Sequence, residues 1–528
     1  MKTDDGGIHW KAISPDLTQA GLRVKSADTS HVGWGVIYTV APSPVRAGLI
    51  WVGSDDGLIH VTTDGGRHWT NVTPKGLTPW SKISLIEASP FEAGEAYAAV
   101  DRRRLGDMAP YIYRTTDFGA TWTLTVKGIG ATSYVHVVRA DHTRKGLLYA
   151  GTENGVYVSF NDGDSWQPLQ LNLPVSSIRD LAVHDNDLIA ATHGRSFWVL
   201  DDITPLQQLT QKVVDEGAYL FKPETAVRIR RSINKDTPLP PEIPQGRNPP
   251  AGAILDYYLK TAPSGPVTLD IFDNGGNLVR HFSSEAVAPK PDSPPYFMNA
   301  WLPKFKPLTA RAGLNRFVWD LRYSSPLSSS YRYSMAVANL HSARVPQGPL
   351  VLPGTYKVVL KVDGDSYSQL LKVVMDPRVH VSDLVLRDQL GLAIDVWNDM
   401  SDAFALKNSM NTLQAQIQKV DSLTRPETEA RSLLVKLGGE LSKIRSSMKA
   451  GELGGLEGDI MSADSEPTQQ IKQAYRMLSE NLRASERTWG ILKYRTIPEV
   501  NRVLRSTGLP PLRLTEEMER HLSLPRGV

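Results

Sequence analysis

Over residues 1–203 the apolar positions fall in short runs divided by Gly, Asp, Asn and Pro, which predicts strands rather than helices. Val36–Val40, Ile83–Ile86, Tyr134–Val138 and Ile178–Val183 each begin a set. Leu49–Gly53, Ala96–Val100, Leu147–Gly151 and Leu188–Ala191 follow as second strands, and Leu58–Val61, Tyr111–Arg114, Val156–Val158 and Phe197–Leu200 as third strands. One order of strands repeated at this spacing fits the blades of a β-propeller. Residues 253–377 alternate again, from Ala253–Leu259 to Tyr367–Met375, with a hairpin turn at Asn274-Gly275-Gly276-Asn277, and predict a small β-sandwich. Between these parts, 204–252 reads as an extended connector marked by Pro238–Pro241 and Asn248–Pro250. From 382 the period turns helical: Leu386, Leu390, Ile394, Trp397 and Met400 make one stripe, and Ile471, Tyr475, Leu478, Leu482 and Trp489 another. With a shorter helix near 427–448 and a polar link at 451–466, the region 382–528 predicts a helical hairpin or three-helix bundle. The expected fold is therefore mainly β with an α tail.

A sequence motif sharpens the first part. Thr3-x-Asp5-Gly6-Gly7-x-x-Trp10, Thr62-x-Asp64-Gly65-Gly66-x-x-Trp69, Thr115-x-Asp117-Phe118-Gly119-x-x-Trp122 and Ser159-x-Asn161-Asp162-Gly163-x-x-Trp166 are four copies of one pattern. Their third positions stand 59, 53 and 44 residues apart, about one four-stranded blade each time. A short acceptor side chain can bond the N–H groups of a tight turn, glycine permits positive φ, and tryptophan packs the hairpin on its blade. Asn161 can accept the same turn bond as Asp5, Asp64 and Asp117.

Composition excludes some classes of function. The 528 residues carry 59 basic and 56 acidic side chains, a net charge of +3 that gives no electrostatic reason to expect nucleic acid or an anionic membrane. With 41% hydrophobic and 22% charged residues, the chain is expected to fold around large cores. The absence of cysteine removes disulfides and thiolate metal sites, and no metal or cofactor is expected. No apolar run is long enough to span a bilayer, and Met1–Gly7 has no signal-peptide apolar segment.

The blades resemble the Asp-box, or BNR, repeats of sortilin-type propellers, the photosystem II assembly factor, xyloglucanases and sialidases. The Gly313-x-Asn315-x-x-x-Trp319-Asp320 and Pro353-Gly354-Thr355-Tyr356 motifs resemble the immunoglobulin-like domain of flagellar hook-cap proteins. Together they look most like the C-terminal half of a bacterial group labelled BNR-repeat glycosyl hydrolase. That resemblance implies a secreted or periplasmic location and further blades upstream. It leaves two geometries open for about four blades: Lys11–Ile13 closes the last blade as its outer strand, or the blades form an open arc completed by upstream sequence or a partner chain.

The Asp-box side chains recur at the same turn in every blade and read as structural, with Trp10, Trp69, Trp122 and Trp166 beside them. The resemblance puts ligand sites on the opposite face, on loops joining second to third strands. There the ligand-binding candidates are Asp55, Arg102, Arg103, Glu153, His193 and Arg195, and the catalytic candidates are Asp55, Asp101 and Glu153. Glycoside hydrolysis needs two carboxyl groups at a set spacing, which these three supply only if the ring brings them together. No His-Glu-x-x-His, phosphate loop, dinucleotide fingerprint or Gly-x-Ser-x-Gly motif is present, and Tyr494-Arg495-Thr496-Ile497-Pro498 is a broken version of the sialidase Arg-Ile-Pro motif. Two readings follow. The first is an extracytoplasmic binding scaffold for a glycan, peptide or protein, and the second is a secreted glycoside hydrolase acting by paired carboxylates.

Overall fold

The computed structural model describes residues 1–18, 35–230, 240, 242–243, 246, 248–288, 298–328, 330–333 and 342–515. Of the Pro238–Pro241 run only Pro240 lies within the described residues. The chain divides into two compact units, Met1–Leu209 and Thr210–Val528.

Among the described residues the first unit is a series of four antiparallel sheets. The first runs β1 (Ile37–Pro42), β2 (Ile50–Ser54), β3 (Ile59–Thr62), β4 (Thr70–Asn71), and the second β5 (Lys82–Ala88), β6 (Ala96–Asp101), β7 (Ile112–Thr115), β8 (Thr123–Leu124). The third runs β9 (Val135–Ala140), β10 (Leu148–Thr152), β11 (Gly155–Ser159), β12 (Gln167–Pro168). The fourth has three strands, β13 (Ile178–His184), β14 (Asp187–Thr192) and β15 (Phe197–Leu200), before helix α1 (Thr204–Gln208). The first strands pack in sequence, β1 on β5, β5 on β9 and β9 on β13. This is a partial β-propeller, with cores between neighbouring blades.

Those cores explain the residue pattern. Trp51, Ile59, Ile83 and Ile86 fill the first interface, Tyr97, Ile112, Val138 and Trp166 the second, and Val137, Tyr149, Ile178 and Leu188 the third. Because blades press on both faces of the third sheet, all of Leu148–Thr152 is buried. The approach is close enough to require glycine: a Cβ on Gly151 would lie 2.5 Å from Val137 Cγ1 and 2.7 Å from Ile178 Cγ2. Gly151→Val is accordingly expected to destabilise the unit by about 1–3 kcal/mol through overpacking, read as a lower denaturant midpoint at unchanged slope.

The three complete blades each end in a hairpin at the repeated motif, and a smaller hairpin precedes them. In each, the Thr or Ser hydroxyl accepts from the Gly N–H four residues on, at 2.9 Å, as Gly7→Thr3, Gly66→Thr62, Gly119→Thr115 and Gly163→Ser159. The Asp or Asn oxygen then accepts the backbone N–H of His9, His68, Thr121 or Ser165 at 2.9–3.0 Å. The indoles follow a register. Trp69 Nε1 donates to Ile13 O (2.8 Å), Trp122 to Val72 O (2.7 Å) and Trp166 to Thr125 O (2.9 Å), each time to the third residue past the previous tryptophan. Trp10 has no such acceptor and donates to its own Gly7 O at 3.0 Å.

Lys11 is held by a bridge to Lys2, and Ile13 lies against the first blade through Trp69. Closure of the last blade by Lys11–Ile13 is thus not seen, because among the described residues β15 pairs with β14 alone.

The second unit begins with α2 (Gln211–Asp215), then β16 (Ala218–Leu220), β17 (Ala226–Arg228), β18 (Ala253–Leu259), β19 (Thr268–Phe272) and β20 (Leu278–Ser283). It continues with β21 (Gly313–Trp319), the short pair β22 (Arg332–Tyr333) and β23 (Arg344–Val345), β24 (Gly354–Val362) and β25 (Asp365–Met375). The sheets β16-β18-β21 and β17-β25-β24-β19-β20 enclose Leu255, Tyr257, Leu269, Trp319, Val358 and Leu360. The connector expected over 204–252 is therefore smaller than its proline content suggests. Its Ala218–Leu220 pairs with β18 and its Ala226–Arg228 with β25, the first burying Ala218 and Leu220 and the second Ala226 and an Arg228 bonded to Val351 O and Asp464.

Helices α3 (Asp383–Asp421), α4 (Glu429–Ser447), α5 (Ala450–Ile460), α6 (Gln469–Ile491) and α7 (Ile497–Ser506) form the tail. Ser382, Thr428 and Thr468 cap three of them by accepting an N–H three residues on. The expected polar link at 451–466 is largely helix. Leu453, Leu456 and Ile460 recur at helical spacing and are buried against the bundle, which overrides the glycines between them.

Candidate functional site

The first strand of every blade carries a β-bulge near its start. The registers shift between Ile37 and Thr39, Ile83 and Leu85, Val135 and Val137, and Ile178 and Asp180. The extra residues are Tyr38, Ser84, His136 and Arg179, and a bulge re-aims its side chain out of the pleat. The same registers make four residues at the ends of the second strands equivalent. Asp55, Glu153 and His193 donate their N–H to Val36 O (3.0 Å), Tyr134 O (3.1 Å) and Ser177 O (2.8 Å), and Asp101 lies opposite Lys82 at the corresponding place. The candidates Asp55, Asp101, Glu153 and His193 thus occupy one position repeated blade by blade, on the face opposite the motif turns.

At the third and fourth blades these residues converge. Glu153 Oε2 accepts from Ser177 Oγ at 2.6 Å and lies 2.9 Å from His136 Nε2. Arg179 Nη2 stands 3.1 Å from His193 Nδ1 and 3.9 Å from Glu153 Oε2. Tyr134 meets the His136 ring edge-on at 5.0 Å, and Arg103 Nη1 reaches the Tyr134 hydroxyl at 3.4 Å. Asp101 is buried and accepts the Arg103 backbone N–H at 3.0 Å, so the second blade is tied into the same cluster.

The electrostatics follow from these contacts. Burial would raise the Glu153 carboxyl, but hydrogen bonds from Ser177, His136 and Tyr134 outweigh it and hold the group at about 2. Burial pushes the His136 imidazole below its ordinary value, against the opposing pull of Glu153, which favours the neutral ring. Ser177 and Glu153 meet the same imidazole nitrogen, whereas a base-activated serine needs hydroxyl and carboxylate on opposite ones, so this is not a nucleophile triad. Because the Glu153 value is depressed, the stability it contributes is present above about pH 4.5 and is lost as pH falls towards 2. With a third of the side chain exposed, about 1–2 kcal/mol is expected. Wild type should exceed Glu153→Gln by that margin at pH 7, and the difference should shrink in denaturation curves taken between pH 4.5 and 2.

The other candidates lie apart from this cluster. Asp55 Oδ1 accepts the Val36 N–H at 2.7 Å in the first blade. Arg102 turns to Asp107 Oδ2 (3.3 Å) and stacks 5.1 Å from the Tyr111 ring. Arg195 is exposed, and its main chain serves the turn at Thr192 and Trp198. Sequence reasoning missed Tyr134, His136, Ser177 and Arg179. The available signal was that His136 and Arg179 interrupt repeated apolar strands at one position. Among the described residues no group of three or more His, Asp and Glu is placed to hold a metal.

The motif carboxylates on the other face are committed to their turns. The His9 and His68 N–H groups, first among several donors, draw Asp5 down to about 2 and Asp64 below its ordinary value, and Thr121 does the same for Asp117.

Neither a known family's sequence profile nor a curated protein sequence matches the chain. Solved structures similar to it include YCF48 from Cyanidioschyzon merolae, 20% identical over 32% of this chain and 54% of that one, with a TM-score of 0.25. The GH74 enzyme of Niastella koreensis is 19% identical over 31% of this chain and 22% of its own, with a TM-score of 0.26. The GH74 xyloglucanase of Xanthomonas campestris is 13% identical over 63% and 38%, with a TM-score of 0.24. The chain spans about half of the first of these and smaller shares of the others. No helix among the described residues is long and apolar enough to cross a membrane.

Proposed function

We propose that the chain is an extracytoplasmic binding and assembly protein that captures a glycan, peptide or protein on the loop face of its blades. One observation carries this reading: the carboxylates of that face are engaged by donors. Asp55 holds Val36, Asp101 holds Arg103, and Glu153 is kept ionised by three partners. Glycoside hydrolysis needs one carboxylic acid that carries a proton at working pH, and Glu153 is shifted the opposite way. What remains for a ligand is a polar, preorganised surface of Arg103, Arg179 and His193, with Tyr134 buried behind Arg103, suited to hydrogen bonding. YCF48 bound to a D1 peptide is among the similar structures, although the reading here rests on the residues and not on that likeness.

The hydrolase reading draws on the equivalence of Asp55, Asp101 and Glu153, which would put carboxylates in neighbouring blades. An assay for reducing-sugar release from xyloglucan, β-glucan and sialosides, run beside binding to immobilised polysaccharides and a peptide array, tests both. Saturable binding weakened by Arg179→Ala, without turnover, is the expected result. Turnover that disappears in Glu153→Gln would overturn the binding-only reading.

A further inference from the structure

Beside the Glu153 cluster the loop face carries aliphatic side chains that the fold leaves bare. Leu171 and Val175, in the link from the third blade to the fourth, are 71% and 74% exposed. Leu105 and Met108, in the loop that carries Arg103, are 43% and 46% exposed. The link is held by its own hydrogen bonds. Gln170 Nε2 donates to Leu173 O at 2.7 Å and to Pro174 O at 3.2 Å, and the Leu173 N–H donates to Gln170 O at 2.8 Å. Leu171 thereby sits at φ +43°, a backbone region unfavourable for a residue with a β-carbon. Packing within the chain does not explain a leucine held outwards under strain, and such strain is retained where it serves contact.

These side chains stand next to donors that the fold has not used up. Val175 lies two residues before Ser177, which donates to Glu153 at 2.6 Å. Gln170 covers the turn that follows Glu153, since a Cβ on Gly155 would lie 2.0 Å from Gln170 Oε1. Arg179 donates to His193 Nδ1, so the neutral ring carries its proton on Nε2, and that ring is exposed. Arg179 Nε is buried with no hydrogen-bond partner among the described residues, so this guanidinium is not saturated. Exposed Arg104 and Arg195 add positive charge, whereas Asp101 and Glu153 are already bonded within the fold. Guanidinium groups of Arg102 and Arg103 lie 5.1 and 5.8 Å from the Tyr111 and Tyr134 rings, on faces that a sugar ring would need for stacking.

We infer that the ligand of this face is a protein segment in which an aspartate or glutamate is flanked by apolar residues. Its carboxylate takes the Arg179 guanidinium and the His193 Nε2–H, and its apolar neighbours cover Leu171, Val175 and Met108. This rests on the binding reading above and narrows the ligand to an acidic peptide. The charge is complementary, and two donors fixed by one hydrogen bond match the two oxygens of a carboxylate. Arginine and methionine are also the side chains enriched where proteins meet.

The test uses the full chain and fluorescent synthetic peptides, read by anisotropy. Peptides of the form apolar–acid–apolar should bind saturably, and replacing the acid by its amide should weaken binding by about tenfold or more. Added salt should weaken it further. Leu171→Gly separates contact from folding. Glycine suits the positive φ, so the denaturation midpoint should hold or rise, while affinity for the acidic peptide falls by about tenfold. Unchanged affinity in that variant would overturn the inference, as would amide peptides that bind as tightly as acidic ones. Preference for polygalacturonate or for a phosphoserine peptide would overturn it too, and would leave a binding protein of another specificity. Xyloglucan turnover with no peptide retained would overturn both this inference and the binding reading beneath it.

Discussion

Replacing Trp166 by alanine should lower the stability of the blade unit by about 3–5 kcal/mol, the range for deleting a large buried aromatic. The ring is 5% exposed and lies in the core shared by the second and third blades, against Tyr97, Ile112 and Val138. Its indole N–H also donates to Thr125 O at 2.9 Å, so truncation removes a bond that crosses between blades as well as the packing. Trp10→Ala removes the same side chain from the same motif, yet should change the stability of the isolated chain by less than about 0.5 kcal/mol. There the ring is exposed and its bond goes to its own turn. Guanidinium melts of the two variants, followed by tryptophan fluorescence, measure the contrast. Equal losses would mean that the indoles stabilise the hairpins locally rather than joining blades.

The legible part of the fold is the part with a short period. The strands of the first unit were readable because each is bounded by turn residues and because Asp5, Asp64, Asp117 and Asn161 mark equivalent corners. The second unit was harder to read at its ends. Ala218–Leu220 and Ala226–Arg228 are three residues each, too short to show alternation, and their place comes from long-range pairing with Tyr257–Leu259 and Val373–Met375. Helix α5 was hidden by its four glycines, since local propensity argues against a helix that tertiary burial of Leu453 and Leu456 supports. The site was half legible. Asp55, Asp101, Glu153 and His193 stood out as polar residues after second strands, and the registers show why they recur. Tyr134, His136, Ser177 and Arg179 did not, because a bulge shifts the inside–outside alternation by one residue, and its trace in the sequence, His136 and Arg179 at one strand position, is not shared by Tyr38 in the first blade.

Glu457→Gln in the helical tail should raise stability at pH 8 by up to about 3 kcal/mol and leave it unchanged at pH 4. Glu457 is 4% exposed on α5, and burial pushes its carboxyl up to about 7 despite the opposing charge of Arg322. Among the described residues it forms no ion pair, unlike neighbouring Asp464, which lies 2.7 Å from both Arg228 and Arg230. The sign follows from proton counting. Between about 4.5 and 7 the unfolded chain releases the Glu457 proton while the folded chain keeps it, so stability falls as pH rises through that window and levels off above it. Below about 4.5 both states are protonated and the full stability is present. The gap between 4.5 and about 7 corresponds to about 3 kcal/mol at roughly 1.4 kcal/mol per pH unit. Glutamine keeps the shape of the neutral acid and never ionises, and Arg322 retains its bond to Gly348 O at 2.8 Å, so no new unpaired charge is created. Urea melts of wild type and variant across pH 4 to 8 should therefore coincide at the acid end and diverge steadily towards pH 7. Curves that stay parallel throughout would mean that Glu457 ionises in the fold at its ordinary value, with the charge of Arg322 offsetting the burial.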